Sequence, residues 1–409
     1  MIVREVAPIE QFVEAAEVTA RLQAAESSFA PFAPEVIQFC GRLSRLIFQS
    51  KSARAFPDLQ ALAFWMRPAG LGPLNESVRR LETAHSRLVP RGIVFHIPPA
   101  NVDTMFVYSW IVSLLMGNRN LIRISSSETP QVALLCQILN EALAEADPVF
   151  QNQTIIVQYG HEREITELFS RSADVRVIWG GDQTVNAIRS VPLPPHATEL
   201  TFPDRFSLCA IRAKKYLDLD EDQGNSLAEK FYNDTFWFDQ MACSSPRLML
   251  WCGDKEECQL ASRLFFTRLQ ACIHRKGYAP EVGVRMNRFT FACQAILDRP
   301  ITAYQDFQGD LPVLTLGSLE NFSREHCGGG LMLEFHSSGL EALVPAVTHR
   351  DQTLTQFGFD SIELEKLVRL LNGRGIDRIV PIGEALRFQH FWDGYDLFQS
   401  LSRSIYVHA

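Results

Sequence analysis

The sequence predicts an α/β protein of two domains with a helical N-terminal region. Three observations carry that prediction. From Arg91 onward, short β-branched runs alternate with amphipathic stretches, the pattern of parallel β-α-β units. The segment VPLPPH (191–196) is rich in proline and reads as a crossing point, after which a second α/β stretch begins. The 409 residues, at roughly 150 per domain, suffice for two or three domains that each bury a core without disulfides or a structural metal.

In chain order, the first ninety residues read as helices, because apolar residues recur at helical spacing, as in Val36, Cys40, Leu43 and Ile47. The strand GIVFHI (92–97) follows, then a helix after Asn101, the strand NLIRI (120–124) and a helix after Pro130. TIIVQY (154–159) reads as a strand, the stretch after His161 as a helix, and VRVIW (175–179) as a strand. Past the prolines come the strand RFSLCAI (205–211), a long helix around 223–240, the strand RLMLW (247–251), a helix from about 255 to 275, and strand-like runs up to LMLEF (331–335).

Composition excludes several function classes. With 46% hydrophobic and 21% charged residues the chain is globular rather than disordered. A net charge of −8, with no basic run longer than pairs such as Arg79-Arg80 or Lys214-Lys215, argues against a nucleic-acid partner. Nine cysteines, an odd number without a CxxC pair, point to a reducing compartment. The N-terminus lacks the basic start and cleavage site of a signal peptide, so the cytoplasm is expected. The longest apolar run, Met105 to Met116, falls short of the roughly 20 residues of a membrane span and reads as a buried helix.

Four segments can carry chemistry. DQMACSSPR (239–247) places Cys243 after a helix and before Pro246 and a strand, on a tight turn at an element end. A thiolate there suits acyl transfer, because sulfur is nucleophilic and forms a thioester open to a second reagent. As one cysteine among nine, it can equally be a small buried hydrophobe. In HIPPANVDTMF (96–106), Asn101 stands between a strand end and a helix start, which suits either a helix N-cap or an amide donor to an oxyanion.

In VIWGGDQTVNAI (177–188), Gly180 and Gly181 form a strand-to-helix turn that would let backbone amides approach a phosphate. Asp182 would repel that phosphate, and an ordinary turn fits as well. Arg123, before the polar run that starts at Ser125, suits a ribose phosphate or an exposed strand-end charge. Glu199 in HATELTFPDR is a general base or acid, or a solvated surface carboxylate. There is no HExxH and no Cys/His spacing that would build a zinc site, so no metal is expected.

Taken together and in order, these segments resemble the aldehyde dehydrogenase superfamily, and most closely its LuxC-type fatty acyl-CoA reductase branch. The resemblance spans roughly residues 90 to 409. It is carried by GIVFHIPPANVDTMFVYSWIVSLLMGNRNLIRISSSETP, VIWGGDQTV, DQMACSSPR and the tail RIVPIGEALRFQHFWDGYDLFQSLSR. It implies a cofactor-binding and a catalytic α/β domain with the active-site cleft between them. The implied division is 1–200 for the N-terminal helices and NADP(H)-binding domain, 201–380 for the catalytic cysteine domain, and 381–409 for a segment returning to the cofactor domain or its interface.

By position, the resemblance implies Cys243 as the acylated nucleophile, Asn101 as oxyanion donor with the Cys243 backbone N–H, and Glu199 as general base. It implies a cofactor site from Arg123, Ser125, Gly180, Gly181 and Asp182. The stretch after Arg123 is one residue longer than the family pattern, which leaves the register over Ser125, Ser126 and Ser127 open, and Asp182 stands where the family has serine.

The activity implied is NADPH-dependent reduction of a fatty acyl thioester to the aldehyde through acyl-Cys243. The donor would be acyl-CoA, an acyl carrier, or an acyl-activating protein partner, and a homo-oligomer is implied. The aromatic residues Phe236, Trp237, Phe238, Phe388, Phe391, Trp392 and Tyr395 suit a fatty chain or core packing. Two other readings stay open: an acyl-phosphate reductase of the same superfamily, and a cysteine acyltransferase or thioesterase that no longer uses nicotinamide.

Overall fold

Strands too apolar for a half-exposed sheet build two separate cores. The computed structural model describes residues 1–25, 29–99, 101–126 and 129–408. It divides into one unit of Met1–Pro203 with Phe388–Ala409 and a second of Asp204–Arg387.

The first unit carries strands β1 (Ile2–Ala7), β2 (Gln11–Glu14), β3 (Ser86–Pro90), β4 (Ile93–Ile97), β5 (Arg119–Ile124), β6 (Thr154–Gln158), β7 (Val175–Trp179) and β8 (Thr198–Phe202). Its helices are α1 (Ala15–Ala24), α2 (Pro34–Gln49), α3 (Pro57–Trp65), α4 (Pro68–Leu81), α5 (Met105–Leu115), α6 (Pro130–Ala144), α7 (Pro148–Gln153), α8 (Arg163–Arg171) and α9 (Asp182–Arg189). Every residue of β4, β6 and β7 is buried, as a parallel sheet covered by helices on both faces requires. Helix α5 is buried on every side, which explains its unbroken apolar sequence.

The sheet order is β2-β1-β6-β5-β4-β7-β8, with β6 to β8 parallel and β1 antiparallel to both neighbours. From β4 the chain steps outward to β5 and β6, then returns to the other side of β4 with β7 and β8. Strand order therefore reverses between β4 and β7, and in such sheets the crevice at the carboxyl ends of the two strands is where ligands bind.

Three strands fall within the stretch expected to be helical, which corrects that expectation. β1 and β2 form an antiparallel edge, with Arg4 opposite Gln158 of β6. β3 pairs with Ser402–Tyr406 in a separate two-stranded ribbon. β1 and β3 owe their places to chain far away in sequence, of which local periodicity carries no sign, and β2 is held only by its hairpin partner β1.

The second unit carries β9 (Phe206–Arg212), β10 (Pro246–Cys252), β11 (Ile301–Phe307), β12 (Leu311–Leu316), β13 (Met332–Ser337), β14 (Asp351–Phe357) and β15 (Arg378–Pro381). Its helices are α10 (Ala213–Leu217), α11 (Glu221–Phe236), α12 (Lys255–Lys276), α13 (Val282–Asp298) and α14 (Ser361–Leu371). The order is β11-β12-β13-β10-β9-β14-β15, parallel except for β11. Trp251, Tyr216, Phe231, Phe265 and Phe266 pack one face of this sheet, and Leu208, Leu250, Leu314, Leu333 and Leu354 the other. No helix among the described residues is long and apolar enough to cross a membrane.

Candidate active site

The turn that presents Cys243 is built from both sides. Helix α11 opens with a capping box between Asp220 and Gln223 and ends at Phe236, four residues short of the expected boundary. It stops because Asp239 and Gln240 take left-handed conformations (φ 49° and 61°), which no helix can continue. The buried Gln240 side chain holds the turn: Nε2 donates to Pro246 O at 2.9 Å, and Oε1 accepts from the Gly330 N–H at 3.1 Å. The run Gly328-Gly329-Gly330 wraps this turn with φ of 68°, 65° and 82°. A Cβ on Gly328 would lie 2.4 Å from the Met241 sulfur, and one on Gly330 2.6 Å from the Phe236 ring, so only glycine fits at both.

Cys243 sits at the amino edge of the second sheet, where β9, β10 and β14 begin. Its carbonyl accepts from Ser207 Oγ at 2.7 Å, and its sulfur accepts from Gln352 Nε2 at 3.3 Å. The buried Arg247 guanidinium donates to the carbonyls of Arg205, Gln240 and Ala242. Burial pushes Arg247 down to about 10, an effect that the Cys243 and Asp204 charges oppose, so cation and thiol lie within each other's field.

Five of the other thiols differ. Burial pushes Cys40, Cys209 and Cys252 up to about 12 and Cys258 and Cys327 to about 11, whereas Cys243 is half-buried with donors beside it. No group of three or more His, Cys, Asp or Glu that could hold a metal occurs among the described residues.

In the first unit, the carboxyl edge of the sheet gathers most of the residues expected there. Asn101 is exposed beyond β4. It is not the cap of α5: Thr104 occupies that position, and the helix starts four residues after Asn101, which corrects the helix-cap reading. Gly180 and Gly181 join β7 to α9, with Gly181 at the N-cap and Asp182 exposed in the first turn. The Gly180 N–H is spent on Phe202 O at 3.1 Å, so that amide is not offered to a phosphate.

Arg123, near the end of β5, donates to Gly160 O at 2.6 Å and lies over the Tyr159 ring, while its buried Nε has no hydrogen-bond partner in the protein. The Ser125 carbonyl accepts from Gln158 Nε2 at 2.6 Å; Ser127 lies outside the described residues.

Glu199 is not brought to this edge. It pairs in register with Arg176, the second residue of β7, three residues before Phe202 closes β8. Arg176, with only 2% of its side chain exposed, grips the Glu199 carboxylate through Nε at 2.7 Å and through Nη2, and Arg189 adds a contact at 3.2 Å. The structure gives Glu199 a structural task, because a carboxylate neutralising a buried guanidinium cannot leave it without stranding that charge.

Three of the four tail aromatics resolve toward packing, whereas Phe391 is exposed. Phe388 and Trp392 pack on Tyr108 and Tyr395 on Phe202, while Trp179 stacks on Phe202 at 3.7 Å.

Sequence reasoning missed Gln240, Arg247 and Gln352. The triple glycine at 328–330 was a readable signal for a tight wrap. Nothing in the sequence marked Gln352, whose role depends on β14 lying two strands from β10.

Comparison with known proteins adds to this geometry. Residues 74–275 match the family model described as acyl-CoA reductase (LuxC). A long-chain acyl-protein thioester reductase of Aliivibrio fischeri is 24% identical over 306 residues, covering 72% of this chain and 59% of that protein. One of the same name from Photorhabdus laumondii subsp. laumondii is 25% identical over 186 residues, 44% of this chain and 36% of that protein. The chain thus spans less than two thirds of the length of either relative.

Among solved structures, the NAD-dependent aldehyde dehydrogenase of Sinorhizobium meliloti superposes with a TM-score of 0.67 at 12% identity, over 97% of this chain and 87% of that one. HpcC of Thermus thermophilus gives 0.65 at 12% identity, over 96% and 84%. Residues 74–275 thus resemble the LuxC acyl-CoA reductases in sequence, and nearly the whole chain shares the fold of the aldehyde dehydrogenases.

Proposed function

We propose that this chain reduces a fatty acyl thioester to the aldehyde through an acyl-Cys243 intermediate, with NADPH as reductant. The observation that carries the reading is the setting of Cys243: a half-buried thiol on a glycine-wrapped turn, with a side-chain amide bonded to its sulfur and within the field of a buried cation. Such donors favour the thiolate, which is the acyl acceptor. Attack on the donor carbonyl forms the Cys243 thioester and expels the carrier thiolate, which takes its proton from solvent. The relatives' name, acyl-protein thioester reductase, favours a protein-bound donor over free CoA, and hence an acyl-activating partner.

The carboxyl-edge crevice of the first unit supports a dinucleotide site: strand order reverses there, Gly180 and Gly181 leave it open, and Arg123 retains an unpartnered Nε. In this reading Arg123 and Ser125 hold the ribose-phosphate end, and Gly180, Gly181 and Asp182 border the cofactor by shape and hydroxyl contacts, since Asp182 repels phosphate. A reduced nicotinamide held by these residues would supply the hydride. Asn101 is assigned the oxyanion of the tetrahedral species, with the Cys243 backbone N–H. Glu199 takes no part in proton transfer, and a reduction that releases aldehyde does not require water activation.

The test incubates the purified protein with tetradecanoyl-CoA, records its intact mass, then adds NADPH or, separately, NADH and follows absorbance and aldehyde. The expected result is an acyl-sized mass gain, absent in Cys243→Ala, and faster consumption of NADPH than of NADH. Acylation without nicotinamide oxidation would instead establish a transferase or thioesterase. Absence of acylation from both the CoA ester and an acyl-protein would refute the reading.

A further inference from the structure

We infer that the side-chain amide of Gln352 is a catalytic group, the donor that stabilises and aims the Cys243 thiolate. The inference rests on the acyl-cysteine reading above, but not on the identity of acyl donor or reductant.

Four hydrogen bonds close a ring around the nucleophile. Gln352 Nε2 donates to Cys243 Sγ at 3.3 Å, and Thr353 Oγ1 donates to Gln352 Oε1 at 3.2 Å. The Thr353 N–H donates to Ser207 Oγ at 3.2 Å, and Ser207 Oγ donates to the Cys243 carbonyl at 2.7 Å. Ser207 and Thr353 are wholly buried and Gln352 is 2% exposed, so water does not compete for these groups. The Thr353 hydroxyl also fixes which end of the amide faces the sulfur: with Oε1 committed as acceptor, the NH₂ end is turned to Cys243. β9 and β14 thus grip both the backbone and the sulfur of a residue that lies on neither strand.

This arrangement discriminates between the charge states of sulfur. A neutral thiol is a weak acceptor, and a buried amide donor aimed at it gains little. A thiolate is an anionic acceptor, for which the same donor forms a charge-assisted bond. The amide therefore favours loss of the Cys243 proton to solvent before acylation. When the sulfur becomes part of a thioester its charge is gone and the bond weakens. When the thiohemiacetal collapses and its C–S bond breaks, the same amide receives the departing thiolate. One fixed donor serves the anion at the start and at the end of the cycle, with Arg247 adding a charge of the same sense.

The test is the rate of Cys243 alkylation by iodoacetamide as a function of pH, read by peptide mass spectrometry in the wild-type chain, Gln352→Leu and Gln352→Glu. Alkylation needs neither acyl donor nor nicotinamide, so it judges the amide separately from the reductase reading, whose failure would appear as absent acylation with alkylation intact. Gln352→Leu is expected to slow alkylation about tenfold at neutral pH, the worth of a hydrogen bond to a charged group. Its pH profile should move to the alkaline side, and its rate should rejoin the wild type where every Cys243 is ionised. Gln352→Glu keeps the shape and replaces the donor by an acceptor; it should slow the neutral-pH rate further and serves where the leucine variant fails to fold. An unchanged profile in a folded variant, or a slowing by the same factor at every pH, would overturn the inference, since lost packing alters access without altering ionisation.

Discussion

Replacing His96 by glutamine removes a proton-binding site from the interior of the first unit and, with it, a defined part of the protein's acid sensitivity. His96 is wholly buried on β4. Its Nδ1 lies 2.8 Å from Ser109 Oγ and its Nε2 3.0 Å from Asn120 Oδ1. The Asn120 NH₂ donates to Asn118 O, so Oδ1 faces His96 as acceptor and the ring carries its proton on Nε2. Ser109 Oγ already accepts from Trp179 Nε1 at 3.1 Å and gives its own proton to Nδ1. A second ring proton would face a donor, at a wholly buried position.

Burial lowers the His96 pKa from 6.5 to about 4, although the Asn120 bond acts in the opposite sense. The folded protein thus resists a proton that the unfolded chain accepts, and stability contributed by the neutral ring is lost as pH falls through this window. Integrating between those values, acidification from pH 7 to pH 5 costs the wild type about 2 kcal/mol that a non-titrating residue does not lose. The assay is urea unfolding of wild type and His96→Gln at both pH values, followed by tryptophan fluorescence. Glutamine can still bond Ser109 and Asn120, so the variants should differ by about 2 kcal/mol less at pH 5 than at pH 7. His326, which burial lowers to about 3, and Asp234, which burial raises to about 7 and which pulls the opposite way, are common to both proteins and cancel in the subtraction. A stability difference that is the same at both pH values would refute the reasoning.

Glu199→Gln should destabilise the first unit by about 3 kcal/mol, because it leaves the Arg176 charge buried without its counterion, yet leave acylation of Cys243 at the wild-type rate. Thermal unfolding and the intact-mass assay check both halves, and lost acylation in a folded variant would restore a proton-transfer role. Gly330→Ala should cost about 2–4 kcal/mol, combining a left-handed backbone for a residue with a side chain and a Cβ driven into the Phe236 ring. An unchanged midpoint in calorimetry would mean that the glycine run does not tighten the nucleophile turn.

The architecture was legible where it is local. β4, β6 and β7 announced themselves as apolar runs of strand length, and α12 ends where Gly277 adopts the left-handed conformation of a helix terminus (φ 68°). The three strands of the first ninety residues were not legible, because β1 and β3 are short and half-polar and gain their stability from partners about 150 and 300 residues away. The helix before Cys243 read too long for a related reason. Its sequence stays amphipathic past Phe236, and the turn is imposed by the buried Gln240 amide and by glycines almost a hundred residues later.

The candidate site divides along the same line. Cys243 stood out because an element end is a position that suits a nucleophile, and that is a local property of DQMACSSPR. The ion pair of Glu199 was not legible, because its partner Arg176 is set by register on the neighbouring strand. Gln352 is the reverse case: an amide at the start of DQTLTQF carries no mark of chemistry, and it acquires one only because parallel strands place the starts of β9, β10 and β14 at one edge. The reactivity of the thiol would then be set by strand order, with the residue that carries the charge readable from its own segment and the residue that stabilises the charge readable only from the fold.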